Sequence, residues 1–253
     1  MIPKIIHYCW FGRGQMPELA IKCIESWKKY LPEYEIKEWN EDNFDINLYP
    51  YAREAYDNRK FAFVADVARL YALYTEGGIY MDTDVEVLKS LDPLLNHCAF
   101  SGFEDGVNVS TGIMASKKGG KWAKENLEYY NNRHFVGKDG SLDFRTNVYT
   151  ITRYMLKYGL KQDNTYQDFK DLITIYPKDY FCPLSVDGYD LNITENTYTI
   201  HHFMGSWGSK SKIKKYWNFF KYRVLFKILP KSFINSILNI KEKRRNKKNE
   251  KNF

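Results

Sequence analysis

The stretch that most constrains this chain is residues 61–87, FAFVADVARLYALYTEGGIYMDTDVEV. Its first part contains strong helix formers, and the Gly-Gly pair that follows predicts the end of that helix. The apolar residues 79–81 predict a short buried strand, after which come Asp82 and Asp84. Because residues i and i+2 of an extended chain point to the same side, the sequence predicts two carboxylates side by side at a strand end.

Two neighbouring carboxylates suit a hard divalent cation, Mg²⁺ or Mn²⁺, that carries a phosphate group. An Asp-x-Asp pair alone is weak evidence, since a chain of this composition contains about one by chance. Here the pair follows a helix stop and an apolar strand, and Asp66 and Arg69 lie upstream on one helix face. The hypothesis is a metal–diphosphate site, whereas a solvated turn and a helix-surface ion pair are the simpler interpretations.

The N-terminal segment predicts an α/β fold. Residues 3–10 read as a buried strand, residues 17–30 as an amphipathic helix and residues 34–39 as a second strand. This order predicts a βαβ unit and a parallel arrangement of its strands. Ligands of such sheets bind at the carboxyl ends of the strands, which places Trp10 and the turn 11–14 at the expected ligand edge.

The rest of the chain continues the mixed pattern. Further helices are predicted around 51–58, 61–76, 120–132 and 147–158, and further strands at 85–87, 98–103, 112–115, 172–176 and 197–203. We therefore expect one α/β domain over residues 1–211.

The charge is unevenly distributed. The whole chain has a formal charge of +7, but residues 210–253 hold 15 Lys or Arg and only two acids, so residues 1–209 carry −6. Residues 212–253 alternate apolar and basic side chains and predict an amphipathic helical tail whose charged end, 241–253, is disordered. Such a tail suits an anionic membrane surface; packing of its first helix on the body is the alternative, and no motif points to nucleic acid.

Cysteine usage and hydropathy give the expected compartment. The chain has four scattered cysteines with no C-x-x-C spacing, which argues against a disulfide framework or a zinc site. The first residues lack the apolar core of a secretory signal, and no apolar run reaches the length of about 18 residues that a membrane span needs. We expect a cytoplasmic protein, attached peripherally to the inner membrane face.

Four segments together resemble a known family: PKIIHYCWFG (3–12), ADVARLYALYTEGGIYMDTDV (65–85), STGIMAS (110–116) and HHFMGSW (201–207). They are similar to the glycosyltransferases with a sugar-binding DXD region. That family includes fungal initiating α-mannosyltransferases, bacterial capsular-polysaccharide transferases and the glucosyltransferase domain of large clostridial toxins. The resemblance implies a GT-A fold, which is a Rossmann-like, nucleotide-sugar-binding mixed sheet flanked by helices. It also implies a nucleotide-sugar donor, Mn²⁺ or Mg²⁺, and retention of the anomeric configuration.

The resemblance assigns roles on the donor side. Trp10 would stack on the base of the donor, and Tyr80 would lie near its nucleoside. Asp66 and Arg69 would contact the sugar and the diphosphate. Thr111 and Gly112 would also belong to the donor site.

The resemblance also implies a metal site. Asp82 would touch the ribose, or the metal through water, and Asp84 would ligate the metal directly. His202 matches the His-x-x-Gly metal ligand of related retaining transferases of the glycogenin type, so that His201 would face the other side of its strand. Ser206 and Trp207 would close over the diphosphate.

The acceptor side is less defined. In the family, the region after the DXD strand holds donor-sugar and acceptor contacts, for which the candidates are Glu104, Asp105, Asn108, Thr111 and Gly112, with Asn147 as another. No carboxylate stands out as the nucleophile of a double displacement, and the resemblance implies front-face attack with a phosphate oxygen of the leaving group as the base.

The predicted function is a metal-dependent retaining hexosyltransferase. The expected donor is UDP-galactose or UDP-glucose, with GDP-mannose as the alternative, and the expected acceptor is a lipid-linked oligosaccharide or a polysaccharide repeat, as in capsule synthesis. Two other classes compete with this prediction. One is a haloacid-dehalogenase-type phosphatase, whose Asp-x-Asp also follows an apolar strand, although Glu86 replaces the Thr or Val expected there. The other is a non-catalytic adaptor that binds membrane through its tail.

Overall fold

The structure is a computed structural model of the chain, and it describes residues 1–186, 188 and 190–205. The predicted tail 212–253, its boundary at residue 211, and the site candidates Ser206 and Trp207 lie outside the described residues. The strands are β1 (Ile5–Cys9), β2 (Glu35–Trp39), β3 (Gly78–Met81), β4 (Val85–Val87), β5 (Ala99–Gly102), β6 (Ile113–Ser116), β7 (Gln167–Asp168), β8 (Thr174–Tyr176) and β9 (Thr199–His201). The helices are α1 (Glu18–Tyr30), α2 (Pro50–Asp57), α3 (Phe61–Thr75), α4 (Lys121–Glu128) and α5 (Asn147–Leu156), and short 3₁₀ turns cover Ile46–Leu48, Asp92–Leu94 and Lys178–Tyr180.

A seven-stranded mixed sheet organises the described residues, in the order β2-β1-β3-β6-β5-β8-β7. Strands β2, β1 and β3 are parallel, and β6 runs antiparallel to both β3 and β5. The predicted βαβ unit and the mixed sheet flanked by helices are thereby confirmed. The carboxyl ends of β1, β3 and β5 all lie at the same edge of the sheet, which is the edge at which the candidate residues gather.

A second, two-stranded sheet pairs β4 with β9 in antiparallel register, with Val85 opposite His201 and Val87 opposite Thr199. The sequence predicted both strands but not that they pair with each other. The pairing brings the end of the described chain back to the turn that follows β3. It is the long-range contact that completes the candidate site.

Helix α3 is buried along almost its whole length, from Phe63 to Leu73. It packs against α2 and α4 and against strands β1, β3 and β6. The helix ends where predicted, and Gly78 begins β3 with φ +108°, only 2.6 Å separating its Cβ position from the Ile5 carbonyl oxygen. A helix that is apolar on all sides belongs inside a core, so its two charged residues, Asp66 and Arg69, require partners there.

Two apolar clusters cover the two faces of the large sheet. One contains the buried side chains of α2, α3 and α4, and the other contains Trp27 of α1 together with Val85 and Val87 of β4. The indole N–H of Trp27 donates to the Val85 carbonyl oxygen (2.7 Å), which holds the small sheet against α1. All four cysteines carry free thiols. Within the described part of the chain, no helix combines the length and apolar character needed to cross a membrane.

Candidate active site

Asp82 and Asp84 lie in a tight turn between β3 and β4, not in an extended strand. The Val85 N–H donates to the Asp82 carbonyl oxygen (2.9 Å), which closes the turn, and the Asp82 N–H donates to the Gly112 carbonyl oxygen (2.8 Å). The prediction that an i, i+2 alternation aligns the two carboxylates was therefore wrong in its geometry. The two side chains still converge, because the turn folds them toward the same partner from β9.

That partner is His201. Its Nε2 lies 3.3 Å from Oδ1 of Asp84 and 3.9 Å from Oδ2 of Asp82. One ligand atom from each of the three side chains falls within 4.8 Å of the other two. Asp84 and His201 are buried, whereas the Asp82 side chain is 27% exposed, so the cluster opens toward solvent on the Asp82 side.

Charge complementarity inside the cluster controls the protonation of its members. Burial raises the pKa of the Asp84 carboxyl, but His201 and the Met204 N–H, which donates to Asp84 Oδ2 (2.7 Å), more than offset this and lower the pKa to about 2. Burial also disfavours a charged His201, but the Asp84 carboxylate raises the pKa of the imidazole well above its ordinary value. A divalent cation bound here would take the place of the imidazole proton.

His202 does not face this cluster, which corrects the prediction of the sequence. Its Nε2 lies 2.9 Å from the Glu86 carboxylate. The register of the small sheet explains why His201, and not His202, faces the aspartates. His201 is opposite Val85, which points inward, whereas His202 shares a face with half-exposed Glu86. The expectation that His201 faces away from the aspartates was wrong.

The prediction of His202 comes from its match to the His-x-x-Gly motif, and the alternation along the strand does not point to His201 instead. In the run 197–203, Tyr198 and Ile200 suggest an apolar inner face, with His202 on that face. In the structure the polar alternation is also buried, since Thr197, Thr199 and His201 are each less than 10% exposed. Only the pairing of β9 with β4 distinguishes the two histidines.

Arg69 ties α3 to the site. Its Nη2 lies 3.4 Å from Asp66 Oδ1 and 3.3 Å from Asp82 Oδ1, and its Nη1 donates to the Thr111 carbonyl oxygen (3.0 Å). The guanidinium also lies 4.6 Å from the ring centroid of Tyr80. The predicted pair Asp66 and Arg69 is therefore a buried network beneath the turn, and the interpretation as a helix-surface ion pair does not hold.

Tyr80 is 1% exposed, so its ring forms part of the buried support of the site. Its hydroxyl donates to Asp82 Oδ1 (2.7 Å). The predicted proximity of Tyr80 to the nucleoside stays a prediction. The observed contact orients Asp82.

Asp66 lies deep in the network. Burial raises the pKa of its carboxyl to about 6, although Arg69 and the Asn147 N–H favour the charged form. The Asn147 N–H, at the start of α5, donates to Asp66 Oδ2 (3.2 Å), and the Asn147 side chain donates to the Tyr130 hydroxyl (2.7 Å). The predicted candidate Asn147 is thus fully buried and positions Asp66.

Thr111 and Gly112 contribute through their backbones, since their carbonyl groups hold Arg69 and the Asp82 N–H. Gly112 has an additional role. A Cβ at this position would lie 2.6 Å from Nδ1 of His201, so only glycine leaves room for the imidazole ring. Their predicted contacts with the donor stay predictions.

Trp10 follows β1 and lies at the same sheet edge as Asp82, with its side chain half-buried. Its indole N–H donates to the Gly14 carbonyl oxygen (2.7 Å), which fixes the ring against the predicted glycine turn. Gly12 in that turn donates its N–H to the Glu41 carboxylate (2.6 Å). The structure thus places Trp10 at the predicted edge, and its stacking on a base stays a prediction.

The acceptor candidates separate into two kinds. The Asp105 carboxylate accepts the N–H groups of Val107 and Asn108 and the Asn108 side-chain amide, so both candidates are used to hold a turn. Glu104 makes no such bond within the described residues. The charges of His201, Asp82 and Arg69 act on its carboxyl. Sequence reasoning named Glu104 but gave it no distinct role.

The residues before Ser206 wrap around Asp84. The His202 N–H donates to the Asp84 carbonyl oxygen (3.0 Å), and the Met204 N–H reaches its side chain. Phe203 adopts φ +49°, in the left-handed region, and its ring lies 4.1 Å from that of His201. The chain therefore leads toward the cluster just before Ser206 and Trp207, whose predicted closure over the diphosphate lies outside the described residues.

The donor set fits a divalent cation. Two carboxylates and an imidazole within 4.8 Å form a mixed oxygen–nitrogen set, and an imidazole suits Mn²⁺ better than Mg²⁺. The open side at Asp82 leaves coordination positions for a ligand that carries phosphate.

Comparison with known proteins agrees with the motifs. A family described as "Glycosyltransferase sugar-binding region containing DXD motif" matches residues 17–101. Inositol phosphoceramide mannosyltransferase 3 of Schizosaccharomyces pombe is 34% identical over 122 residues, which cover 47% of this chain and 34% of the yeast protein. The uncharacterized glycosyltransferase L373 of Acanthamoeba polyphaga mimivirus is 29% identical over 184 residues, or 70% of this chain and 67% of that protein. The chain thus spans about a third of the length of the fungal relative that it matches.

Among solved structures, a glycosyltransferase involved in the glycosylation of the major capsid of PBCV-1 aligns with 79% of this chain and 93% of its own, with a TM-score of 0.43 and 13% identity.

Proposed function

Because the chain carries the sugar-binding DXD region of the glycosyltransferases, we propose that it is a metal-dependent retaining hexosyltransferase that uses a nucleotide-sugar donor. The observation that carries this proposal is the convergence of Asp82, Asp84 and His201 at the carboxyl edge of the sheet. Ligands of α/β sheets bind at this edge. The cluster has the composition and the open side that a metal–diphosphate site requires.

Asp82, Asp84 and His201 would hold Mn²⁺, or alternatively Mg²⁺. The bound cation supplies Lewis-acid compensation for the negative charge of a departing diphosphate. Arg69 adds a fixed positive charge, held between Asp66 and Asp82 at 3.4 and 3.3 Å. The hydrogen bond from Tyr80 keeps the Asp82 carboxylate oriented, so that this metal-binding carboxylate is already in place before the reaction.

The proposed donor is a UDP-hexose, galactose or glucose. The name of the fungal relative, inositol phosphoceramide mannosyltransferase 3, gives mannose as the sugar that it transfers. GDP-mannose is therefore the second donor to test. We propose a lipid-linked or polysaccharide-repeat acceptor, as in surface-polysaccharide synthesis, and retention of configuration by front-face attack.

A panel of nucleotide sugars tests the donor and the reaction together. We expect Mn²⁺-dependent hydrolysis of one of UDP-galactose, UDP-glucose and GDP-mannose by the full chain. Asp84→Ala should lower this rate at least about a hundredfold, since the charge compensation by the metal is worth several kcal/mol. Asp171→Ala is the matched control, because Asp171 is exposed.

The same experiment separates the competing classes. Hydrolysis of p-nitrophenyl phosphate in place of nucleotide sugars would identify a phosphatase. Absence of any turnover, together with binding to membrane, would identify an adaptor. NMR assignment of the anomeric configuration of the product, with inversion as the contrary result, tests retention.

The tail gives a further part of the proposal. Its excess of basic residues supports peripheral attachment to the cytoplasmic face of an anionic membrane, where a lipid-linked acceptor would be presented. Flotation with vesicles of anionic and of neutral lipids tests this: the full-length chain should float with the anionic vesicles only. A full-length chain that stays at the bottom of both gradients would contradict membrane attachment without affecting the proposed chemistry.

A further inference from the structure

Glu104 lies at the same edge of the sheet as the cluster of Asp82, Asp84 and His201. Strands β3 and β5 both run antiparallel to β6, and therefore parallel to each other. Asp82 follows the end of β3, and Glu104 comes two residues after the end of β5. Since adjacent strands lie about 4.8 Å apart, two strand spacings place these positions about 10 Å apart across the edge.

The backbone fixes the position of Glu104. The Glu104 N–H donates to the Asn108 carbonyl oxygen (2.8 Å), and the preceding residue, Phe103, is fully buried and bridged to Val109. The turn between them is closed by the Asp105 carboxylate. Glu104 is therefore the first residue of a rigid hairpin end, and it is not part of a mobile surface loop.

The side chain of Glu104 serves no structural contact among the described residues. Within the described residues its carboxyl makes no hydrogen bond and no ion pair, although it is only partly exposed. The charged groups that act on it electrostatically are His201 from β9, Asp105 from its own turn, Asp82 from the turn after β3, and Arg69 from α3. Burial raises the pKa of this carboxyl to about 7, against the opposing effects of His201 and Arg69.

A partly enclosed carboxyl that has no bonding partner in the described part of the chain suits a role toward a ligand. The network of Asp66, Arg69 and Tyr80 and the metal cluster lie on the β3 side of the edge, where the donor is proposed to bind. Glu104 lies on the β5 side of the edge, and Thr111 and Gly112, which precede the intervening strand β6, lie between the two sides. A donor held by the cluster would place its anomeric carbon at this edge, with Glu104 beside the acceptor hydroxyl on the face of the sugar that carries the diphosphate, as front-face attack requires.

We propose that Glu104 is the base that accepts the proton of the attacking hydroxyl, an inference that rests on the proposed transferase function. In that step a bond forms between the hydroxyl oxygen and the anomeric carbon. The bond from the anomeric carbon to the diphosphate oxygen breaks, and its electron pair leaves with the diphosphate. The hydroxyl proton passes to the Glu104 carboxylate, which replaces the phosphate oxygen expected from the sequence as the base. A base is most effective when its pKa lies near the working pH.

Hydrolysis of the donor tests this role without a known acceptor, because water then supplies the attacking hydroxyl. The wild-type chain, Glu104→Gln and Glu25→Gln are compared with the active donor and Mn²⁺; Glu25 is an exposed residue of α1 and serves as the matched control. We expect the turnover of Glu104→Gln to fall about a hundredfold, within the range for a lost general base. The dissociation constants of Mn²⁺ and of the nucleoside diphosphate should stay within about threefold of the wild type, which is under 1 kcal/mol.

The pH profile separates a base from a residue that merely supports the fold. The wild-type rate should rise with pH through about 7, because only the deprotonated carboxylate accepts a proton. This rise should disappear in Glu104→Gln and return, at a lower rate, in Glu104→Asp. Equal melting temperatures of the three proteins exclude loss of fold as the cause.

Three results would overturn the assignment. The first is a wild-type rate and pH profile in Glu104→Gln. The second is a loss of Mn²⁺ affinity as large as the loss of turnover, which would make Glu104 part of the metal site. The third is a covalent glycosyl adduct on Glu104, seen by mass spectrometry, which would make it a nucleophile. Absence of turnover by the wild-type chain with every donor is a different result, because it contradicts the proposed function itself and this inference with it.

Discussion

The imidazole Nε2 of His201 lies 3.3 Å from Oδ1 of Asp84, although the two residues belong to distant parts of the chain. The pairing of β4 with β9 creates this contact. It joins the DXD turn to the segment that leads into the GSW sequence, and it makes the Asp82 and Asp84 pair into a three-residue cluster.

The two neighbouring histidines should therefore differ in their effect on metal binding. We predict that His201→Ala weakens Mn²⁺ binding by more than about tenfold, since the loss of even an outer partner of a metal ligand costs at least that much. His202→Ala should bind Mn²⁺ like the wild type, because its imidazole contacts Glu86. Titration calorimetry measures both values. The opposite ranking of the two variants would contradict the assignment of His201.

Gly112→Ala should disturb the site through its contact with His201. The added Cβ would lie 2.6 Å from Nδ1 of the imidazole, so the ring has to move. We expect a loss of about 1–3 kcal/mol in the free energy of unfolding, as for other overpacked sites, together with weaker Mn²⁺ binding. Gly14→Ala is the control, since nothing lies within 4 Å of its Cβ position. Denaturant unfolding that shows equal losses for both variants would count against this packing contact.

Tyr80→Phe should lower turnover and keep the fold. The substitution removes the hydroxyl that donates to Asp82 (2.7 Å) and leaves the buried ring in place. A hydrogen bond to a charged group is worth about 1.5–3 kcal/mol, so we predict a fall in turnover of about tenfold or more. Tyr158→Phe, which loses a similar bond to Glu125 on an exposed surface, should keep full activity. Steady-state kinetics of donor hydrolysis compares them, and unchanged turnover in Tyr80→Phe would show that Asp82 needs no support.

Asp66→Asn should change how stability depends on pH. The pKa of Asp66 in the folded chain, about 6, lies above its ordinary value of 3.8. The protonated form is therefore favoured by folding, and its contribution is fully present below pH 3.8 and is lost as the pH rises through about 6. An asparagine does not titrate and has no such loss. The free energy of unfolding of the variant should therefore rise relative to that of the wild type between pH 3.8 and about 6. Since one pH unit is worth about 1.4 kcal/mol, the gain is about 3 kcal/mol.

Urea unfolding of both proteins at pH 4, 5, 6 and 7 measures this difference. A constant difference across the four values would mean that Asp66 titrates in the folded chain as it does in the unfolded one. The control for chemistry is the Mn²⁺ affinity at pH 7, which should be nearly the same in both proteins, because Asp66 is not among the three clustered ligands.

Local patterns of sequence predicted much of the fold. The helix of residues 61–76, its glycine stop and the strand that follows were found within a residue or two, because their signals lie in the segment itself. The βαβ unit at the start was predicted for the same reason. The prediction of an extended DXD was wrong, since the turn at Asp82 depends on a hydrogen bond from Val85 and on the carbonyl of Gly112, which directly precedes the distant strand β6.

The sequence by itself determined that two carboxylates follow a buried strand and that Asp66 and Arg69 lie on one face of the helix before it. These are consequences of backbone periodicity, which acts over a few residues. Only the tertiary structure decided that His201, and not His202, completes the cluster, and that Glu104 faces the same edge. Which face of a strand points inward depends on the register with its partner, and the register between β4 and β9 is set by packing between segments far apart in the chain.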